Sequence, residues 1–188
     1  MAAAVRPADI AATIVLALPE AICVSSLGTA TSALRFASAD GPHLYLGASM
    51  GSALATAMGV AEAVPGRLVA ALLGDGELLM GASTLWSVAA YRPPNLIAVV
   101  LSDDAYGITG GQPLSAPPRF AEVAQSLGGI AGRRVQDVDQ LNAALIQLPR
   151  PSLIEAEVTD PAWPGPSPFV DPAAVRLAFT ANATARPT

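Results

Sequence analysis

Leu68-Val69-Ala70-Ala71-Leu72-Leu73-Gly74-Asp75-Gly76-Glu77 is an apolar run that ends in a carboxylate set between two glycines. A second run, Leu96-Ile97-Ala98-Val99-Val100-Leu101, leads into Ser102-Asp103-Asp104-Ala105-Tyr106-Gly107. Short runs that are apolar throughout read as strands buried on both faces, the pattern of a parallel sheet. In an open α/β sheet, ligands bind outside the carboxyl ends of the strands. Two neighbouring strands ending in carboxylates can therefore aim oxygen ligands at one point. Such ligands suit Mg²⁺, which one or two carboxylates commonly hold together with the phosphates of a ligand. Gly74 and Gly76 allow close backbone approach, and the N–H groups that open the following helix can face phosphate. The stretch reads as a divalent-metal and diphosphate site.

Outward from these two strands the chain alternates helices and strands. A helix near 7–18 precedes a strand at 21–26, then Gly28-Thr29-Ala30-Thr31-Ser32 and a short helix through Arg35. Ser49 to Val64 reads as a helix ended by Pro65-Gly66. Strand 68–73 leads to a helix from Glu77 to Tyr91, stopped by Pro93-Pro94. After strand 96–101 come a glycine-rich segment through Gln112, helices at 118–128 and 137–147, and a last strand from Pro151 to Val158. Strands separated by helix-length segments predict an α/β fold: a doubly wound, mostly parallel sheet with helices on both faces. Residues 1–160 read as one diphosphate- and metal-binding domain. Residues 161–188 read as a tail, proline-rich at first and then a short helix with a polar end.

Composition narrows the function classes. Charged residues are only 13% of the chain against 52% apolar, where about a quarter charged is usual. So little charge leaves little to cover a surface and predicts a domain that faces other protein. No run of about 20 uninterrupted apolar residues marks a membrane span. No convincing signal peptide opens the chain, and a cytoplasmic protein is expected. The net charge of −5, with ten arginines and no lysine, argues against nucleic acid, since no basic cluster exceeds Arg133-Arg134. The single cysteine, Cys23, excludes an internal disulfide and reads as a buried packing residue. His43, the one histidine, lies in a loop on the side where a site would open. It reads first as solvated, with proton transfer near neutral pH as the alternative. Asn182-Ala183-Thr184 matches a glycosylation sequon and reads as chance.

The motifs carry a family resemblance. A Gly-Asp-Gly after one strand, followed at the next strand end by a pair of usually asparagine residues, is similar to the binding motif of thiamine diphosphate enzymes. Asp103 stands 28 residues after Asp75 (103 − 75), close to the family spacing. Tyr106-Gly107-Ile108-Thr109-Gly110-Gly111-Gln112 and Leu46-Gly47-Ala48-Ser49-Met50-Gly51 narrow the likeness to the 2-oxo acid decarboxylases. Within them it resembles the small (beta) subunit of sulfopyruvate decarboxylase and the C-terminal half of phosphonopyruvate decarboxylase.

The resemblance implies thiamine diphosphate and Mg²⁺ as cofactors, a small 2-oxo acid as substrate and decarboxylation as the reaction. It implies Asp75, Asp103 and the Ala105 carbonyl as metal ligands. It places Gly28, Thr29, Ser49, Gly74, Gly76, Glu77, Tyr106, Gly107 and Ile108 against the cofactor. Met50 falls where a bulky apolar residue props the thiamine in its bent, reactive form. A partner subunit carrying the aminopyrimidine domain and its activating glutamate is also implied. The departures are Ser102-Asp103, where a carboxylate replaces an amide ligand, and Glu77, where many relatives have a small hydroxyl residue. Read from the residues alone, Asp75 is also compatible with a helix N-cap, Asp103 with a loop carboxylate, Met50 with core packing, and Gly28-Thr29 with an ordinary βα turn. A thiamine-dependent carboligase and a non-catalytic interaction subunit stay open beside the decarboxylase.

Overall fold

The computed structural model describes residues 4–47 and 49–183. Helix α1 (Pro7–Ala17) leads to strand β1 (Ile22–Ser25), helix α2 (Thr29–Ala37) and the short strand β2 (Leu44–Tyr45). Next come α3 (Ala53–Ala63), β3 (Val69–Gly74), α4 (Asp75–Met80), α5 (Thr84–Tyr91) and β4 (Leu96–Ser102). A hairpin of β5 (Ala105–Tyr106) and β6 (Gln112–Pro113) follows, then α6 (Phe120–Leu127), β7 (Ala131–Val135), α7 (Val138–Gln147), β8 (Ser152–Glu157) and α8 (Pro172–Ala183).

The six longer-range strands form one sheet in the order β2-β1-β3-β4-β8-β7, and every pairing in it is parallel. The two apolar runs are neighbours at its centre, with Val69 opposite Leu96 and Gly74 opposite Leu101. Alternation along each strand divides the core. Val69, Ala71, Leu73, Leu96, Ala98 and Val100 pack under α3, α4, α5 and α6. Ala70, Leu72, Ile97, Val99 and Leu101 pack under α1, α2 and α7. Burial on both faces is what makes these strands apolar without a break, and each fully buried Leu, Ile or Val side chain contributes about 1.5–3 kcal/mol. The α/β doubly wound fold expected from the sequence is the fold observed.

Two helix boundaries differ from expectation, and strands β2, β5, β6 and β7 have no counterpart in it. The helix expected from Ser49 begins only at Ala53, because Gly51 at φ +86 turns the chain before it. The single helix expected over 77–91 is two, parted at Gly81. A Cβ there would stand 2.1 Å from the Gly51 carbonyl oxygen, so the Gly51 turn sits where a continuous helix would carry side chains. Strand β7 was not expected at all. The sequon at 182–184 ends outside the described residues, as does Ala48. No described helix is long and apolar enough to cross a membrane.

Candidate functional site

From β1 the chain runs outward to β2, then returns to β3 on the other side of β1. That reversal opens a crevice at the carboxyl ends of β1 and β3, the place where open α/β sheets bind ligands. A pocket lies there. Its walls come from the β1–α2 turn (Leu27, Gly28, Thr29, Ala30), the β3–α4 turn (Gly74, Asp75, Gly76, Glu77) and the β4 exit with the hairpin (Leu101, Asp103, Ala105, Tyr106, Gly107, Ile108, Thr109). Met50, Pro7 and Val158 complete it. The expected residues from three separate turns are thus brought together. Ser49 is the exception: it is exposed, does not line the pocket, and its carbonyl accepts from the Ser52 hydroxyl at 2.8 Å.

Each turn is shaped by local chemistry. Gly28 holds φ +85 at the start of α2, a conformation side chains disfavour, and a Cβ there would lie 3.4 Å from Ile108. Gly76 lies under the Tyr106 ring, where a Cβ would fall 2.5 Å from Cδ1. These two positions let the β1 and β3 turns approach the 106–108 segment with backbone rather than side chains.

Asp75 is the first residue of α4, yet its side chain does not cap that helix. Its Oδ1 accepts from Gly76 N at 2.6 Å, and Oδ2 accepts from Asp103 N at 3.1 Å and Asp104 N at 2.7 Å. The carboxylate therefore reaches across to the end of β4 and fixes the turn that carries Asp103. Asp104 adopts φ +57, a left-handed conformation Asp tolerates better than most residues, and so both amides point back to Asp75. Asp103 in turn accepts from Ala105 N through Oδ1 at 3.3 Å.

Electrostatically the pocket is anionic and unbalanced. Burial, with the Asp103 carboxylate as the second cause, pushes Asp75 up to about 6. Burial also raises Asp103 above the ordinary carboxylate range. No arginine or histidine among the described residues lines the pocket. Among the described residues no three His, Cys, Asp or Glu side chains converge as a complete metal site. Two adjacent carboxylates without a cation suit a hard divalent ion that takes its remaining oxygens from backbone, water or a bound phosphate. The donor set and the backbone-lined walls fit a metal–diphosphate group.

Glu77 is 5% exposed. Its Oε1 accepts from Ala53 N, at the start of α3, at 3.0 Å, and its Oε2 is buried without a partner among the described residues. Sequence reasoning missed this bond, as it missed the Asp103 and Asp104 amides on Asp75. Backbone donors carry no side-chain signature. It also missed Pro7 and Val158, which no motif marks.

His43 corrects the expectation of a solvated loop residue beside the site. It is buried just before β2 and does not line the pocket, and neither ring nitrogen has a partner among the described residues. Burial pushes it down to about 4. Cys23 is buried as expected, and burial pushes its thiol up to about 12.

Comparison with known proteins agrees with this geometry. Residues 26–156 match the family model described as the thiamine pyrophosphate enzyme, C-terminal TPP binding domain. A phosphonopyruvate decarboxylase of Streptomyces viridochromogenes is 33% identical over 192 residues, covering 98% of this chain and 48% of that protein. A sulfopyruvate decarboxylase subunit beta of Methanothermobacter thermautotrophicus is 35% identical over 113 residues, 59% of this chain and 60% of that one. The chain thus spans about half the length of these relatives. Among solved structures, a 2-oxoglutarate:ferredoxin oxidoreductase from Magnetococcus marinus matches at a TM-score of 0.63 over 89% of this chain and 66% of that one. At 16% identity that is a likeness of fold alone.

Proposed function

The chain belongs to the thiamine pyrophosphate enzymes through their C-terminal cofactor-binding domain, and from that premise we propose that it is the diphosphate- and Mg²⁺-binding subunit of a decarboxylase acting on a small 2-oxo acid of the sulfopyruvate or phosphonopyruvate kind. The observation that carries this reading is the Asp75–Asp103 pair at the carboxyl ends of β3 and β4, beside the switch point of the sheet, in a pocket lined by no cationic side chain among the described residues. A cation bound with the diphosphate would balance its charge against these carboxylates.

In this reading Asp75, Asp103 and the Ala105 carbonyl hold Mg²⁺. The backbones of Gly28, Thr29, Gly76 and Glu77 face the diphosphate, and the two glycines leave room for the Ile108 and Tyr106 side chains beside it. Tyr106, Gly107 and Ile108 close the far wall, and Met50 supports the organic part of the cofactor in its bent form. When bound, thiamine diphosphate supplies the carbon nucleophile and the electron sink on which a 2-oxo acid loses CO₂. What this chain contributes is anchoring, orientation and exclusion of water.

An aminopyrimidine-domain subunit with an activating glutamate supplies the other wall. Exposed apolar side chains support a partner: Met80 and Trp86, on α4 and α5, are 63% and 57% exposed. Apolar side chains left this open commonly mark an interaction surface. The test is to purify the chain with and without the product of its neighbouring gene and to measure CO₂ release from a panel of 2-oxo acids, with calorimetry of thiamine diphosphate and Mg²⁺. Absence of cofactor binding in the assembled complex would leave a non-catalytic interaction subunit as the correct reading.

A further inference from the structure

Two buried glutamates serve the starts of two helices, and only one has both oxygens matched within the chain. Glu155, on β8, accepts from Ala121 N in α6 through Oε2 at 3.0 Å and from Arg134 through Oε1 at 3.2 Å. It stands away from the pocket walls. Glu77, on the pocket wall, accepts from Ala53 N through Oε1 alone.

The first N–H groups of a helix have no partner within the helix. Ser52, placed to cap α3, gives no cap: its hydroxyl bonds the Ser49 carbonyl. Glu77 does that work from another helix. Its own helix begins at Asp75, and the segment it grips begins three residues after Met50. Gly51 and Gly81 approach backbone to backbone at the far end of α4, with no room for a side chain between them. The Met50 turn therefore lies against the short helix that carries the metal-side carboxylate and is hydrogen-bonded to it through Glu77.

We infer that Glu77 is a positioning residue that couples the two ends of the site, so that occupation of the metal–diphosphate end sets the place of Met50 at the other. The inference rests on the cofactor reading above and adds the route by which anchoring reaches the apolar prop.

Hydrogen exchange over residues 49–57 tests it, using Mg²⁺ with inorganic diphosphate, a probe that lacks the thiamine rings. In the wild type the probe should slow exchange of the Ala53 amide and its neighbours. In Glu77→Ala that amide should exchange on the order of tenfold faster, as expected for loss of a buried hydrogen bond. It should no longer respond to the probe, although calorimetry still detects the probe binding. Glu77→Gln retains an acceptor oxygen and should restore the response. Glu77→Asp, one methylene too short, should behave like alanine and serves if the alanine variant does not fold. In the assembled enzyme Glu77→Ala should lower kcat more than it raises KM. An unchanged response in Glu77→Ala or Glu77→Asp would overturn the inference, as would a wild-type segment that ignores bound probe. Failure of thiamine diphosphate itself to bind would remove the cofactor reading instead, while the response to Mg²⁺ and diphosphate would still decide the coupling.

Discussion

Gly51 and Gly81 meet backbone to backbone. A Cβ on Gly81 would lie 2.1 Å from the Gly51 carbonyl oxygen, and one on Gly51 would lie 3.1 Å from the Gly81 nitrogen. Gly51 also holds φ +86. The break between α4 and α5 and the turn behind Met50 are one joint, and neither side has room for a side chain.

Gly81→Ala should therefore force the Met50 turn off α4. The expected cost is about 1–3 kcal/mol, the scale of overpacking in a closed interior, seen as a melting temperature lower by several degrees. Thiamine diphosphate should also bind more weakly. Unchanged melting and binding would show that the joint opens without strain.

Asp75→Ala should abolish Mg²⁺-dependent cofactor binding in calorimetry. The loss should exceed the roughly 10–100-fold that removal of a mere supporting partner costs a metal site, because Asp75 also holds the amides of Asp103 and Asp104. Asp103→Asn should keep or improve binding, since an amide oxygen still ligates and one negative charge leaves an anionic pocket. If Asn at 103 is as damaging as Ala, Asp103 is not a ligand.

Met50→Ala should leave the diphosphate anchored and lower turnover, on the order of 100-fold if the cofactor relaxes by an ångström. Equal turnover in the variant and the wild type would return Met50 to packing alone.

His43 sets a pH dependence of stability. Its folded value of about 4 lies below the unfolded value near 6.5, so the unfolded chain takes up a proton first as pH falls. Stability should be full above about 6.5 and decline toward pH 4, by about 3 kcal/mol at most. Neither ring nitrogen has a partner that would hold an imidazolium. Urea midpoints of wild type and His43→Phe should diverge in slope between pH 7 and 4, the variant being flatter. Parallel curves would mean that the imidazole escapes to water before it titrates.

Under the two-subunit proposal the chain alone should release no CO₂ from any 2-oxo acid, and activity should appear on adding the aminopyrimidine-domain subunit. Robust turnover by the isolated chain would sink that architecture.

What could be read from the sequence follows what the sequence must encode locally. Strands β3 and β4 were plain because burial on both faces demands an unbroken apolar run, and their terminal carboxylates stood out against it. Strand β7 was hidden. It lies at the sheet edge, its Arg133 and Arg134 face water, and Arg134 pairs with Glu155 and Glu157. Its Gly132 lies so close to α6 that a Cβ would strike the Ala121 carbonyl at 2.1 Å. Glu77 was legible as a residue of the site. Its bond to Ala53, 24 positions away, was not, since nothing in either residue names the other. His43 was misplaced for a similar reason: a polar residue in a loop looks solvated until its burial beside β2 is seen.

The register of β3 on β4 has a consequence for how such a site is found in other chains. Gly74 pairs with Leu101, so Asp75 stands one residue beyond that rung and Asp103 two. The 28 positions that separate them measure nothing in space; they are the length of the path taken through α4, α5, the Arg92–Pro94 corner and β4. Residues gained or lost at that corner would change the count and move neither carboxylate. One residue gained inside either strand would keep the motif and turn its carboxylate to the opposite face of the sheet. A pattern search that fixes the spacing therefore scores the wrong quantity, and offsets counted from each strand's last rung are the ruler that the geometry uses.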